Sequence, residues 1–263
     1  MIGPRIGTEE SDGIPRAMPN RFKFAHFPYL ADALQQEMSQ SRQGLRILDV
    51  GCGPGDLAAF CRPIEKCQWI GIDLWYRQLQ QAKEKGVYEY VLQGNLLEGL
   101  PFRNESIDVV ICSEVLMYLP NVPYMLAEFC RVMRTGGKLF VYNAISYYPR
   151  LASVLKRWGR QIYHESGSIA FNGSADWRKA SRPTRISYYS FNGLISEIAL
   201  LNFHIVHVTG FRIFRNRIRF LNRLEKYPWY GRMTECLTTR YPQISSELMV
   251  VARKGEARSD ETS

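Results

Sequence analysis

Nowhere in the 263 residues is there an apolar run near the ~20 that a bilayer-spanning helix needs, so the chain is expected to span no membrane. Cysteine pairs at CxxC spacing are missing as well. Cys52, Cys61, Cys67, Cys112, Cys130 and Cys236 show no zinc-ligand pattern, so no metal is expected. Met1–Asn20 is rich in Gly, Pro and Arg and lacks an apolar stretch, which reads as a loose tail and not a signal peptide. Without a secretory signal the cysteines read as reduced thiols in a cytoplasmic protein, Cys112 and Cys130 as small core residues.

Acidic residues are scarce in two stretches. Residues 145–190 hold eight Lys/Arg against two Asp/Glu, and residues 211–240 repeat that imbalance. The whole chain carries +9, so everything else is net negative. A localised basic character of this kind speaks to a second ligand and not to the fold. The apolar share of 46% is ordinary and sufficient for one sizeable core.

From Leu45 to about Ile145 strand-like and helix-like stretches alternate, which implies parallel strands joined by helical crossovers. The pattern predicts strands over Leu45–Val50, Gln68–Ile72, Val87–Gln93, Ile107–Cys112 and Lys138–Ala144. Helices are predicted over Asp56–Glu65, Tyr76–Lys85 and Val122–Arg134, the last closed by Thr135-Gly136-Gly137. Phe22–Ser39 reads as a helix ahead of this core. Beyond it, Ser146–Ser190 is aromatic, basic and irregular. Phe191–Leu201 then reads as a helix, and Phe203–Thr209 and Glu247–Arg253 as strands.

The segment Ile47-Leu48-Asp49-Val50-Gly51-Cys52-Gly53-Pro54-Gly55 is a strand running into a glycine-rich turn. Its spacing is GxGxG, and Asp49 precedes the first glycine by two. A dinucleotide loop would read GxGxxG and would gain nothing from a carboxylate so near its pyrophosphate. A ligand carrying an amino group and a sulfonium cation does gain from one.

This D-x-G-x-G-x-G pattern resembles the first motif of the class I S-adenosylmethionine-dependent methyltransferases, and the likeness extends over roughly residues 45–145. Gly71-Ile72-Asp73 resembles the family's acidic strand end, Gln93-Gly94-Asn95-Leu96 its adenine-edge loop, and Ser113-Glu114-Val115-Leu116-Met117-Tyr118 the segment after its fourth strand. The resemblance implies an α/β Rossmann-like fold: a doubly wound, mostly parallel seven-stranded sheet with helices on both faces. It implies a domain over 45–254, with 145–190 as an inserted lid after the fifth strand, a cap helix over 21–44, and tails at 1–20 and 255–263. It also implies S-adenosyl-L-methionine as cofactor and S-adenosyl-L-homocysteine as product. Asp49, Gly51, Cys52, Gly53 and Gly55 would hold the methionine part of the cofactor. Asp73 with Leu74 would take the ribose, Asn95 and Leu96 the adenine, and Ser113 and Glu114 would line the site. Relatives commonly have Asp where Asn95 stands and His where Tyr118 stands.

Ligands in open parallel sheets sit beyond the carboxyl ends of the strands, so Tyr118, Asn143, Tyr147 and Tyr148 are expected to meet the acceptor. For an oxygen nucleophile a general base helps, and His164 beside Glu165 is the first candidate, His26 the second. His204 and His207 lie three apart on one strand and are expected to point to opposite faces. Leu151, Val154, Leu155, Trp158 and Ile162 recur at helical spacing among Arg150, Lys156, Arg157 and Arg160. That pattern is read as a lid helix packed on the domain, or as one lying on an anionic membrane at the cytoplasmic face. From Phe211 to Phe220 arginine alternates with apolar residues at Arg212, Arg215, Arg217 and Arg219. An extended row of this kind suits phosphate or carboxylate recognition, or blunts an exposed sheet edge.

The function expected from these features is methyl transfer, O-methylation in the first place, to a small anionic acceptor such as a glycan, lipid or natural-product intermediate. A quinone-type C-methyltransferase at a membrane surface is the nearest variant. A nucleic-acid methyltransferase is a second reading, weakened because Cys112-Ser113-Glu114-Val115 lacks the Pro-Pro-aromatic tetrapeptide of base amino-methylation. A non-catalytic cofactor-binding module is a third. Oligomeric state is left open.

Overall fold

Leu45–Val50 (β1) carries apolar side chains at successive positions, the mark of a strand covered on both faces. In the computed structural model of the protein, Ile47 and Leu48 are both fully buried, in two different core clusters on opposite sides of one sheet. The same division recurs at Val109 and Val110, Phe140 and Val141, and Met249 and Val250. The described residues are 26–40, 44–61, 67–144, 162–169, 182–189, 191–211 and 227–256.

The sheet has seven strands in the order β3-β2-β1-β4-β5-β9-β8. They are β1, β2 (Cys67–Asp73), β3 (Tyr90–Gln93), β4 (Ile107–Ser113), β5 (Met133–Ala144), β8 (Phe203–Phe211) and β9 (Glu247–Lys254). Pairings among β1 to β5 are parallel, and β9 runs antiparallel between β5 and β8. One face is covered by α4 (Val122–Val132) and α5 (Phe191–Ala199), the other by α1 (Phe27–Gln40) and α2 (Asp56–Cys61). Helix α3 (Tyr76–Glu84) packs against β2 and β3, and α6 (Pro228–Arg240) against β8. Asn121 caps α4, its side-chain oxygen accepting from Tyr124 N at 3.1 Å. The seven-stranded, mostly parallel sheet with helices on both faces is the fold expected from the sequence.

Several local expectations change. Thr135-Gly136-Gly137 does not close α4 from outside the sheet. Strand β5 already pairs at Met133, and the register against β4 shifts between Ile107 and Val109. Gly136 takes φ +79°, and a Cβ on Gly137 would meet the Asp108 carbonyl at 2.7 Å, so the glycines form an irregularity inside a longer strand. The third strand begins at Tyr90 and not Val87. His204 and His207 share a face, because a register shift between Ile205 and His207 pairs them with Arg253 and Val251, two residues apart on β9. Helix α6 was not foreseen. In 255–263, taken as a loose tail, Gly255 donates to the Asn202 carbonyl at 2.8 Å and Glu256 accepts from Asn202 Nδ2 at 2.9 Å.

Within 145–190, read as irregular around one helix, β6 (Ile162–Ile169) and β7 (Arg182–Tyr189) form an antiparallel pair, so Ile162 and Tyr163 are strand residues. The remainder of the expected basic helix lies outside the described residues, as do Arg212, Arg215, Arg217 and Arg219.

Candidate active site

The glycine turn is anchored to the neighbouring strand. Gly51 N and Cys52 N both donate to the Ile72 carbonyl, at 2.7 and 3.1 Å. Gly51 has φ +70°, and a Cβ there would lie 2.2 Å from Val115 Cγ2, so no side chain fits. Gly53 also has positive φ, +52°, yet a Cβ there would meet nothing within 4 Å. The bend thus packs tightly on the protein at Gly51 and opens onto free space at Gly53.

Asp73, at the end of β2, turns its carboxylate onto this bend. One oxygen accepts from Gly53 N and the other from Trp75 N, both at 2.9 Å. Burial pushes its pKa up, opposed by these backbone donors. Leu74 beside it is exposed. Asn95 caps the turn Leu96–Glu98, its oxygen accepting from Leu97 N and its amide donating to Glu98, both at 3.1 Å. Leu96, buried, edges an apolar groove of about 380 Å³ that also takes in Leu119, Tyr124 and Met125. A larger groove of about 570 Å³ lies between Asn104, Glu105, Arg131 and Lys254, at the opposite ends of the strands, and contains none of the expected site residues.

Asp49 lies beneath the bend and is 2% exposed. Its carboxylate accepts the Tyr88 hydroxyl at 2.7 Å. Burial is the main reason its pKa rises to about 7; the Tyr88 bond lowers it and the Asp73 charge raises it further.

A second polar cluster stands where β4, β5 and β9 end or begin. His26, in the turn entering α1, shares a hydrogen bond with Ser113 Oγ at 3.0 Å. Its ring stacks on Tyr142 at 3.5 Å and 13°. Tyr142 in turn donates its hydroxyl to Glu247. Glu247 is 1% exposed and pairs in register with Ala144, at the carboxyl end of β5. Glu114, next to Ser113, holds φ +58° while its N–H donates to the Tyr142 carbonyl at 2.7 Å.

Of the expected site residues, the fold gathers Asp49, Gly51, Cys52, Gly53, Gly55, Asp73, Leu74, Ser113, Glu114 and His26 at the carboxyl edge of the strands. Tyr118 closes the turn Leu116–Tyr118 after β4 and is half-buried. Asn143 is fully buried on the sheet face opposite Tyr142. His164 pairs with Ser187 in the backbone of the two-stranded sheet, and its side chain lies outside the described residues with Tyr147, Tyr148, Arg215 and Arg217. Among the described residues no group of three or more His, Cys, Asp or Glu could hold a metal. Tyr88, Tyr142 and Glu247 escaped the sequence reading. For Glu247 a signal existed: an antiparallel last strand starts where the parallel strands end, so its first carboxylate falls on the ligand side.

The family described as methyltransferase domain matches residues 48–141. A probable methyltransferase of Aspergillus luteorubrus is 34% identical over 128 residues, covering 43% of this chain and 45% of that protein. The phthiotriol/phenolphthiotriol dimycocerosates methyltransferase of Mycobacterium leprae is 39% identical over 126 residues, covering 46% and 43%. The chain therefore spans under half the length of these two relatives. Further relatives include both O- and C-methyltransferases. An S-adenosylmethionine dependent methyltransferase from Mesorhizobium loti, at 16% identity, covers 86% of this chain and 99% of its own with a TM-score of 0.54, a likeness of fold. The glycine bend lies inside the matched segment, so over residues 48–141 this chain resembles the methyltransferase domain family, and its sheet is built like that of the solved methyltransferase.

Proposed function

We propose that the chain transfers a methyl group from S-adenosylmethionine to the oxygen of a small, anionic acceptor. The observation that carries this reading is the Asp73 carboxylate seated 2.9 Å from Gly53 N, at the glycine of the bend with open space above it. The residues present fit the cofactor: a carboxylate for vicinal hydroxyls, an exposed Leu74 beside it, and buried Asp49 under the loop.

When bound, S-adenosylmethionine supplies a methyl group already activated on a sulfonium centre and leaves as S-adenosylhomocysteine. The chain's own work is alignment and proton handling. Asp73 holds the ribose, Asp49 and the bend hold the amino-acid end, and Asn95 with Leu96 edges the adenine. His26 accepts the proton of the acceptor hydroxyl, while Ser113 and Tyr142 fix its ring from edge and face. Tyr118 and Asn143 stand at the same carboxyl edge, toward the acceptor. The two basic stretches supply the reason for an anionic acceptor, and peripheral contact with an anionic membrane is the alternative use of that charge.

Calorimetry with S-adenosylhomocysteine tests the first half: saturable binding is expected, and its absence overturns the reading. Transfer of labelled methyl into a cell extract tests the second. Label should persist after RNase treatment; loss of label would assign the acceptor to nucleic acid, and no label at all would leave a binding module. Replacing Arg215, Arg217 and Arg219 with Gln should raise the acceptor's KM and spare cofactor affinity.

A further inference from the structure

Tyr88 is held in a slot made of absences. A Cβ on Gly55 would stand 3.0 Å from one edge of its ring, and a Cβ on Gly71 would stand 3.2 Å from the other. Trp69 meets the ring edge-on at 6.5 Å. The ring is thereby threaded between the glycine bend and β2, and its hydroxyl reaches Asp49 Oδ2 at 2.7 Å. A phenylalanine would fill the same slot, so packing alone does not require the hydroxyl. The hydroxyl's partner is a carboxylate 2% exposed, directly under the bend. A buried carboxylate loses its hydration and needs donors in exchange.

We propose that Tyr88 is a positioning residue for the cofactor: its hydroxyl holds the Asp49 carboxylate under the glycine bend as an anion set for the ligand's ammonium group. The inference rests on the cofactor reading proposed above. Gly71, inside β2, gives way to both the bend and this ring: a Cβ there would meet Cys52 Sγ at 2.8 Å as well as Tyr88 at 3.2 Å.

The titratable groups around Asp49 are few. Asp73 faces it from β2, Cys52 from the bend, Cys61 from α2, Cys112 from β4, and Tyr88 from the segment before β3. Burial pushes all three thiols up, out of the neutral range, and raises Tyr88 as well. Asp49 has its pKa near 7, and the Tyr88 hydrogen bond acts to lower it. A cationic ligand needs the ionised carboxylate. Affinity is therefore present above the Asp49 pKa and falls as pH drops through it; without the Tyr88 hydroxyl that fall moves to higher pH.

The test is calorimetry with S-adenosylhomocysteine, which carries the same ammonium group, from about pH 6 to about pH 8.5 on the wild type, Tyr88→Phe, Asp49→Asn and the double variant. Wild-type affinity is expected to decline toward acid. Tyr88→Phe should bind about tenfold more weakly near neutrality and approach wild type at the alkaline end. Asp49→Asn should bind weakly with a flat profile, and adding Tyr88→Phe to it should change nothing further. A Tyr88→Phe profile equal to wild type, or lowered by one factor at every pH, would reduce Tyr88 to packing and overturn the inference. Should Tyr88→Phe fail to fold, Asp49→Asn decides alone: a pH dependence that survives it overturns the inference. No binding by the wild type would instead sink the cofactor reading itself, and this inference with it.

Discussion

The two halves of the carboxyl edge are built by different means. On the proposed cofactor side, Asp49, Gly51, Gly53 and Gly55 come from one continuous segment, and Asp73 from the next strand in sequence. On the proposed acceptor side, His26 precedes the sheet, Ser113 ends β4, Tyr142 lies on β5 and Glu247 opens β9. Residues 87 apart share the His26–Ser113 hydrogen bond, and residues 105 apart the Tyr142–Glu247 bond. A site made from one turn has its geometry fixed by local backbone rules. A site made from four distant segments exists only once the sheet has closed.

The largest effect should come from the assembled half. Changing His26 to Gln removes the proposed base, and methyl transfer is expected to fall by ~10²–10⁴-fold with cofactor affinity retained. Rates from labelled cofactor, paired with calorimetry, check it; unchanged turnover would return the acceptor side to a purely structural role.

Asp73→Ala acts on the contiguous half. The loss of two charge-assisted hydrogen bonds, each of about 1.5–3 kcal/mol, should weaken cofactor binding by at least about a hundredfold. Unaltered affinity would mean that the ribose lies elsewhere.

Gly51→Ala separates folding from binding. A methyl 2.2 Å from Val115 Cγ2, at φ +70°, should lower stability by about 2–3 kcal/mol through strain and overpacking, read as a reduced Tm. Gly53→Ala also bears a positive φ, +52°, but meets no atom within 4 Å. Its cost in stability should be smaller, about 1–2 kcal/mol, and its cost in cofactor affinity larger. Equal stabilities for the two variants would erase the distinction between the closed and open ends of the bend.

Tyr142→Phe is the mildest. It removes one donor from Glu247, 1% exposed, while keeping the stack under His26, and should cost about 1 kcal/mol. Cofactor affinity should be unaffected. A drop in that affinity would show that the halves are coupled.

The same contrast explains what was legible in the residues. The strand–turn–helix around Asp49 and the acidic end of β2 are local patterns whose period and glycine spacing carry their meaning. The start of β5 was misplaced because a Thr-Gly-Gly segment reads equally well as a helix stop and as an irregular stretch of strand; pairing with Ile107 decides between them. The faces of His204 and His207 were misjudged for the same reason. A register shift is a property of two strands, invisible in the alternation of one. Tyr88 gave no sign of its role, since its slot is formed by glycines from two other elements.

By itself the sequence determined the parallel core, the glycine bend with its carboxylate two residues ahead, and the second carboxylate on the neighbouring strand. These follow from periodicity and from backbone angles that few residues adopt. The tertiary structure alone decided that Tyr88 lies under the bend, that His26 stacks on Tyr142, and that Glu247 reaches the carboxyl edge of the parallel strands. Those contacts join segments far apart in the chain, and only burial and sheet registry bring them within hydrogen-bonding distance.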